Sequence, residues 1–318
     1  MPAVTTHDVT GLPRLADPAP LATPRPVERI VAARTTLEGE GFQVRRPFPS
    51  HELAGADPFI LLDHLGAVEY APGEAKGAPD HPHRGFETVT YIIDGAIEHK
   101  DSTGGGGLIT DGDTQWMTAG AGIVHSEMPP EYLVRAGGLF HGVQLWVNLP
   151  RDNKMLPPRY QDLEGKGLTL LATSDAGVLV RLIAGELGGH TGPGRTFTPI
   201  VYAHATVEPG ARLRLAWPRE FNAFAYVLAG NGFVGEEQVP IAEGRLAVFG
   251  PGEVLTVRGA GRQSQASPAM EILLLGGRPI RESVVAYGPF VMNTKAEIIQ
   301  AIEDYQSGKM GSIPASRS

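Results

Sequence analysis

The chain is 318 residues long, enough for two ordinary domains or one large one with a substantial core. It contains no cysteine, which excludes disulfides, thiolate metal sites and cysteine nucleophiles, so any metal must be held by nitrogen and oxygen. A formal net charge of −8, without clustered Lys and Arg, argues against a direct nucleic-acid partner.

Residues 1–27 are Pro-rich, lack apolar periodicity and are expected to form a disordered arm. The arm lacks the basic start and apolar core of a signal peptide, and no later segment is apolar for long enough to span a bilayer. A cytoplasmic protein with no membrane partner is therefore expected. Strand-like segments then follow one another between turn signals: GFQVRRPF (41–48), PFILLDHL (58–65), ETVTYIID (87–94), QWMTAG (115–120) and GLFHGVQLWVNLP (138–150). They define a first domain over 28–150. The stretch RDNKMLPPRYQDLEGKG (151–167) reads as a polar linker, and residues 168–293 as a second domain.

The second domain repeats the first in outline. Tyr91-Ile-Ile-Asp-Gly95 is answered by Tyr226-Val-Leu-Ala-Gly230, and the Gly-flanked segment Gly112–Gly120 by Gly244–Gly252. Duplicated β-sandwich or barrel domains are the expected architecture. A capping box, Thr294 with Glu297, opens a helix over 294–308, with Ile298, Ile302 and Tyr305 on one face and Gly308 as its stop.

Chemistry is concentrated in HPHRGFETVTYIIDG, residues 81–95. Alternation along one continuous strand would put His81, His83, Glu87, Val89, Tyr91 and Ile93 on the same face, and GIVHSEMP pairs His125 with Glu127 in the same way. Three imidazoles and a carboxylate from two segments suit Fe, Ni, Cu or Zn. Other residues carry plainer expectations. His64 reads as a polar edge residue, His99 as a solvated loop residue, His141 as a hydrogen-bonded core histidine, and Arg84 as half of a surface salt bridge. Trp116 or Met117 should face the core, with stacking over an aromatic substrate as one role for Trp116. Gly104–Gly107 is a hairpin tip, because no Gly-Lys-Ser/Thr follows it.

HPHRGFETVTYIIDG followed by GDTQWMTAGAGIVHSEMP (112–129) resembles the signature of the pirin family, within the cupin superfamily. DPFILLDHLG (57–66), VQLWVNLP (143–150) and YGPFVMNT (287–294) extend the resemblance over residues 28–308. It implies an all-β fold: two cupin-type jelly-roll or β-sandwich domains with a short C-terminal helix. It also implies one divalent metal per chain, iron(II) by expectation with Ni, Cu, Mn or Zn as alternatives, held by His81, His83, His125 and Glu127. Beside that set, Glu87 is expected to orient a ligating histidine from behind, with an exposed strand charge as the alternative, and an inward-pointing His141 is the other candidate for that place.

The implied activity is that of a quercetin 2,3-dioxygenase, in which O2 cleaves a flavonol ring and Glu127 serves as the catalytic base. Other pirins are regulatory proteins, so the resemblance leaves a rival open: an iron-binding redox sensor that contacts a transcription factor or metabolic enzyme through its C-terminal domain. A purely structural metal is the third reading. Aligning the repeats sets Ala216, Pro218, Asn222, Val257 and Gly259 against His81, His83, Glu87, His125 and Glu127, so the second domain is expected to hold no metal.

Overall fold

The structure, a computed structural model, describes residues 4–5, 8–53, 55–265 and 267–314. Segments of alternating β-branched and polar residues between turns form the strands, as pleated geometry favours. The front half contributes β1 (Val27–Ala32), β2 (Arg34–Glu38), β3 (Phe42–Phe48), β4 (Phe59–Tyr70), β5 (Ala78–His83) and β6 (Phe86–Asp94). It continues with β7 (Ile97–Asp101), β8 (Gly106–Ile109), β9 (Thr114–Thr118), β10 (Ile123–Met128), helix α1 (Glu131–Ala136) and β11 (Gly138–Asn148). After β12 (Arg159–Leu163) come β13 (Thr169–Ala172), β14 (Val178–Ala184), β15 (Glu186–Leu187), β16 (His190–Thr191), β17 (Ile200–Val207) and β18 (Arg212–Ala216). The rear half is completed by β19 (Asn222–Ala229), β20 (Asn231–Val234), β21 (Val239–Ala242), β22 (Arg245–Phe249), β23 (Val254–Gly259) and β24 (Met270–Gly277). A hairpin, β25 (Val285–Tyr287) and β26 (Phe290–Met292), leads into helix α2 (Lys295–Gln306), which starts at the expected Thr294–Glu297 capping box.

Each half is a sandwich, not a barrel, of a seven-stranded and a four-stranded sheet. The front sheets run β12-β9-β6-β11-β4-β3-β2 and β5-β10-β7-β8; the rear ones run β1-β22-β19-β24-β17-β14-β13 and β18-β23-β20-β21. The two large sheets pack back to back through Leu62, Val89, Tyr91, Val143 and Leu145 of the front half and Tyr202, Phe224, Tyr226, Leu273 and Leu275 of the rear. Most of these residues are fully buried, and each such side chain contributes roughly 1.5–3 kcal/mol. Polar contacts cross the same interface with pseudo-twofold symmetry. The Tyr91 hydroxyl lies 3.0 Å from His204 Nδ1, and the Tyr226 hydroxyl lies 3.2 Å from His64 Nδ1.

Two strands are exchanged between the halves. β1 pairs with β22 in the rear sheet, and β12 pairs with β9 in the front sheet. The expectation of a disordered arm is thereby corrected for residues 8–26, which lie along the rear half. Leu15 is buried there, Arg14 bridges to Ala172, and the Arg25 guanidinium donates to the carbonyls of Gly250, Pro218 and Phe221. Residues 1–3, 6 and 7 of the arm lie outside the described residues. The polar linker is likewise part of the fold, because β12 completes a sheet edge and Lys154 is almost wholly buried.

The turn at Arg84–Gly85 matters most for the site. β5 belongs to the four-stranded sheet and β6 to the seven-stranded one, so the chain changes sheets here. Gly85 has φ +89°, and a Cβ on it would stand 2.1 Å from the Val291 carbonyl oxygen, so no other residue fits.

Candidate metal centre

β5 and β10 are antiparallel neighbours, with His125 opposite His81 and Ile123 opposite His83. This register gathers the three imidazoles on one face, where one ligand atom from each lies within 4.8 Å of the others. Their backs are secured one by one. His81 Nδ1 lies 2.7 Å from the Pro79 carbonyl and His83 Nδ1 lies 3.3 Å from the Pro289 carbonyl. A carbonyl only accepts, so both Nδ1 atoms carry the proton and both Nε2 lone pairs are left for another partner. His125 Nδ1 faces His99 Nε2 at 3.0 Å, and His125 Nε2 is a buried atom with no hydrogen-bond partner among the described residues.

Three imidazoles gathered this closely, one with an Nε2 orphaned in the interior among the described residues, fit a divalent cation. Burial holds His83 well below the usual imidazole range, with His81 adding to the effect. Burial does the same at His125, helped by His83, His81 and His99. Both rings are therefore neutral, as metal ligation requires.

Glu127 is placed differently from the histidines. The register of β10 on β5 shifts between His125 and Glu127, and the carboxylate is tied instead to the large sheet. Thr90 Oγ1 donates to Oε1 at 2.8 Å, and Gln144 Nε2 donates to Oε2 at 2.9 Å. The structure thus brings three of the four expected donors together and sets the fourth beside them on the wall of the same cavity.

The residues expected behind the ligands are elsewhere. Because the Gly85 turn resets the alternation, the even-numbered residues of β6 face the histidines: Phe86 packs on His83, and Thr90 reaches Glu127. Glu87 shares its parity with Val89, Tyr91 and Ile93 of the inter-sheet core. It accepts from Thr118 Oγ1 at 2.7 Å, and burial pushes its carboxyl up to about 7. His141 is buried as expected of a core histidine, but its Nε2 meets His64 Nε2 at 2.9 Å, away from the metal histidines. Glu87 is thus hydrogen-bonded to Thr118 and His141 to His64, and neither is hydrogen-bonded to His81, His83 or His125 among the described residues.

His64 is no edge residue. It is 1% exposed, between His141 and Tyr226. His99, expected in solvent, is 1% exposed on β7 and backs His125. Trp116 lies in the inter-sheet core and cannot stack over a ligand, while Met117 Sδ receives the Tyr160 hydroxyl at 3.0 Å. Arg84 forms a buried ion pair with Asp304 Oδ2 at 2.9 Å, not a surface one, and thereby anchors α2. Gly104 and Gly105 lie between β7 and β8, as a hairpin tip should.

The aromatic wall that sequence reasoning missed is Trp146, whose ring centroid lies 5.2 Å from that of His83. Its signal was its alternation with Gln144 on β11, opposite in parity to the core residues Val143, Leu145 and Val147. Both line a cavity of about 670 Å³ that also exposes His81, His83 and Glu127, between walls that include Phe42, Leu61, Leu65 and Phe140.

In the rear half the same frame is filled. Val143 pairs with both Tyr91 and His64, and Leu273 pairs with both Tyr226 and His204, which makes the two halves equivalent residue by residue. Taking Val257 as the counterpart of His125, its strand partner Leu213 stands where His81 stands, and Leu215 stands where His83 stands. All three belong to the rear apolar core, so the sequence-based counterparts Ala216 and Pro218 are corrected by three residues, to Leu213 and Leu215.

Residues 41–147 match the family model "Pirin" and residues 202–311 match "Pirin C-terminal cupin domain". A pirin-like protein of Solanum lycopersicum is 46% identical over 290 residues, covering 91% of this chain and 94% of that protein. The crystal structure of quercetin 2,3-dioxygenase from Acinetobacter baumannii superposes with a TM-score of 0.84 at 38% identity, covering 91% of this chain and 99% of that one. A bacterial pirin from Escherichia coli, solved in complex with nickel(II), shares the fold at a TM-score of 0.58 and 19% identity, covering 79% of this chain and 99% of that one.

Proposed function

The chain belongs to the pirin family of two-cupin proteins, and from that premise we propose that it is a metal-dependent dioxygenase of the quercetin 2,3-dioxygenase type, acting on a flavonol-like chelating substrate with O2. The observation that carries this reading is the convergence of three back-bonded imidazoles, with their Nε2 atoms uncommitted, at an apolar cavity large enough for a three-ring ligand. His81, His83 and His125 would hold the ion and Glu127 would complete the set. Iron(II) is the proposed ion, with nickel, copper, manganese or zinc as alternatives. When bound, the ion would supply Lewis acidity towards an enol oxygen and, for every candidate but redox-inactive zinc, a redox partner for dioxygen.

The chain's own residues do the rest. Glu127 is the proposed base, accepting the enol proton at a carboxylate that Thr90 and Gln144 hold in place. Trp146, Leu61 and Phe140 shield that proton transfer from bulk water. The test is to load the protein anaerobically with each metal, add quercetin and then O2, and follow loss of flavonol absorbance together with release of carbon monoxide. Turnover with at least one metal is expected, and none with any of them would overturn the reading.

A regulatory reading has one observation in its favour. The Pro289 carbonyl that backs His83 lies two residues from Tyr287, which is 67% exposed, so the ion's charge state can be felt at the surface. It predicts a protein partner whose recovery in a pull-down changes with metal oxidation, and recovery indifferent to oxidation counts against it.

A further inference from the structure

The cavity floor is the inward face of the large front sheet, and its polar residues are aligned. Thr90 on β6 pairs with Gln144 on β11, and Gln144 pairs with Asp63 on β4. Arg46 on β3 is the next residue across, donating from Nε to Asp63 Oδ1 at 2.6 Å and from Nη2 to Asp63 and to Glu38 Oε1, the latter at 2.6 Å. A polar stripe thus runs from the Glu127 end of the cavity to an Arg46–Asp63–Glu38 cluster, over three interstrand steps or about 14 Å. Apolar rows flank it, Trp146 beside Leu61 on one side and Leu65 on the other.

The cluster is fixed but unfinished. Arg46 and Asp63 are mostly buried, with side chains 12% and 6% exposed, and all three residues line the cavity. Among the described residues Arg46 Nη1 and Glu38 Oε2 make no hydrogen bond, so the cluster keeps both N–H donors of Nη1 and one acceptor oxygen uncommitted. A phenolic hydroxyl satisfies a donor and the acceptor at once, since it donates and accepts. A carboxylate or phosphate does not, because one guanidinium already faces two carboxylates there.

Resting on the dioxygenase reading, we infer that the Arg46–Asp63–Glu38 cluster determines substrate specificity by binding a neutral hydroxyl at the end of a planar polyphenol remote from the metal. The substrate class becomes multi-ring chelators carrying a hydroxyl at both ends. A single-ring enol cannot bridge the stripe, and an aromatic acid is refused.

The experiment is an anaerobic fluorescence titration of the nickel-loaded full chain with quercetin and with 3-hydroxyflavone, which keeps the chelating end and lacks the remote hydroxyls. Wild type is expected to prefer quercetin by about tenfold or more, one good hydrogen bond's worth. Asp63→Asn and Glu38→Gln should each cut that preference severalfold with little change in the Kd for 3-hydroxyflavone. Glu38→Gln serves as the safeguard should Asp63→Asn unfold, since the Glu38 side chain is 42% exposed. Equal wild-type affinities, or a preference unchanged in the folded variants, overturn this inference alone. Failure of both flavonols to bind overturns the dioxygenase reading and this inference with it.

Discussion

His125 turns its Nδ1 to His99 Nε2 at 3.0 Å, whereas His81 and His83 lean on backbone carbonyls that no substitution removes. His125 is thus the one of the three whose tautomer depends on another side chain. His99→Phe should weaken metal binding by about 10- to 100-fold, as loss of such a contact commonly does. His99→Gln, whose amide oxygen can accept from Nδ1, should recover most of it. Competition against a coloured chelator measures both, and equal affinity in His99→Phe and wild type would refute the assignment.

Elemental analysis of purified protein should find about one equivalent of divalent metal, falling sharply in His81→Ala and in His125→Ala, because each deletes one member of the converging set. Glu127→Gln separates the two roles given to that residue. Retained metal with lost flavonol turnover makes it the base alone, and loss of both makes it a ligand as well.

Lys154 donates to the carbonyls of Gly85 and Val291 and to Asn148 Oδ1, each within 3.0 Å, and so ties the turn behind His83 to the C-terminal hairpin. Burial pulls its ammonium down to about 8. Lys154→Met strands three buried acceptors and should cost about 3 kcal/mol or more. Hydrogen exchange over residues 285–310 should rise first, and uniform exchange across the chain would argue against a local tether.

Burial raises the Glu87 carboxyl from its usual 4.5 to about 7, against the opposing pull of its Thr118 hydrogen bond. Since the folded chain keeps this proton at a pH where the unfolded chain has released it, stability falls as pH climbs from 4.5 to 7 and stays lowered above. Glu87→Gln removes that slope and keeps an acceptor for Thr118. It should stabilise the protein at pH 8 by up to about 3 kcal/mol and leave it unchanged at pH 4. Denaturant melts at the two pH values check this, and parallel shifts would contradict it.

Much of the molecule was legible along the chain because its signals are local. Alternation and turn residues gave the strands, Thr294 and Glu297 gave the helix start, and the two Tyr-to-Gly repeats gave the duplication that the registers of Tyr91 and Tyr226 confirm. The pair His81 and His83 was legible too, because they are two apart and one strand suffices to align them, whereas His125 joins them only through the pairing of β10 with β5.

What the sequence could not supply is which side of a strand faces inward, since that depends on the sheet a strand joins. One turn at Gly85 moved the chain from one sheet to another, so Glu87 went to the inter-sheet core and Thr90 to the cavity. Pairings between distant segments likewise decided that His99 supports His125, that Arg46 meets Asp63, and that residues 8–26 and 159–163 serve the opposite halves. Spacing in the chain fixes which side chains can share a face. Only long-range pairing decides what that face looks upon, because it depends on partners many residues away.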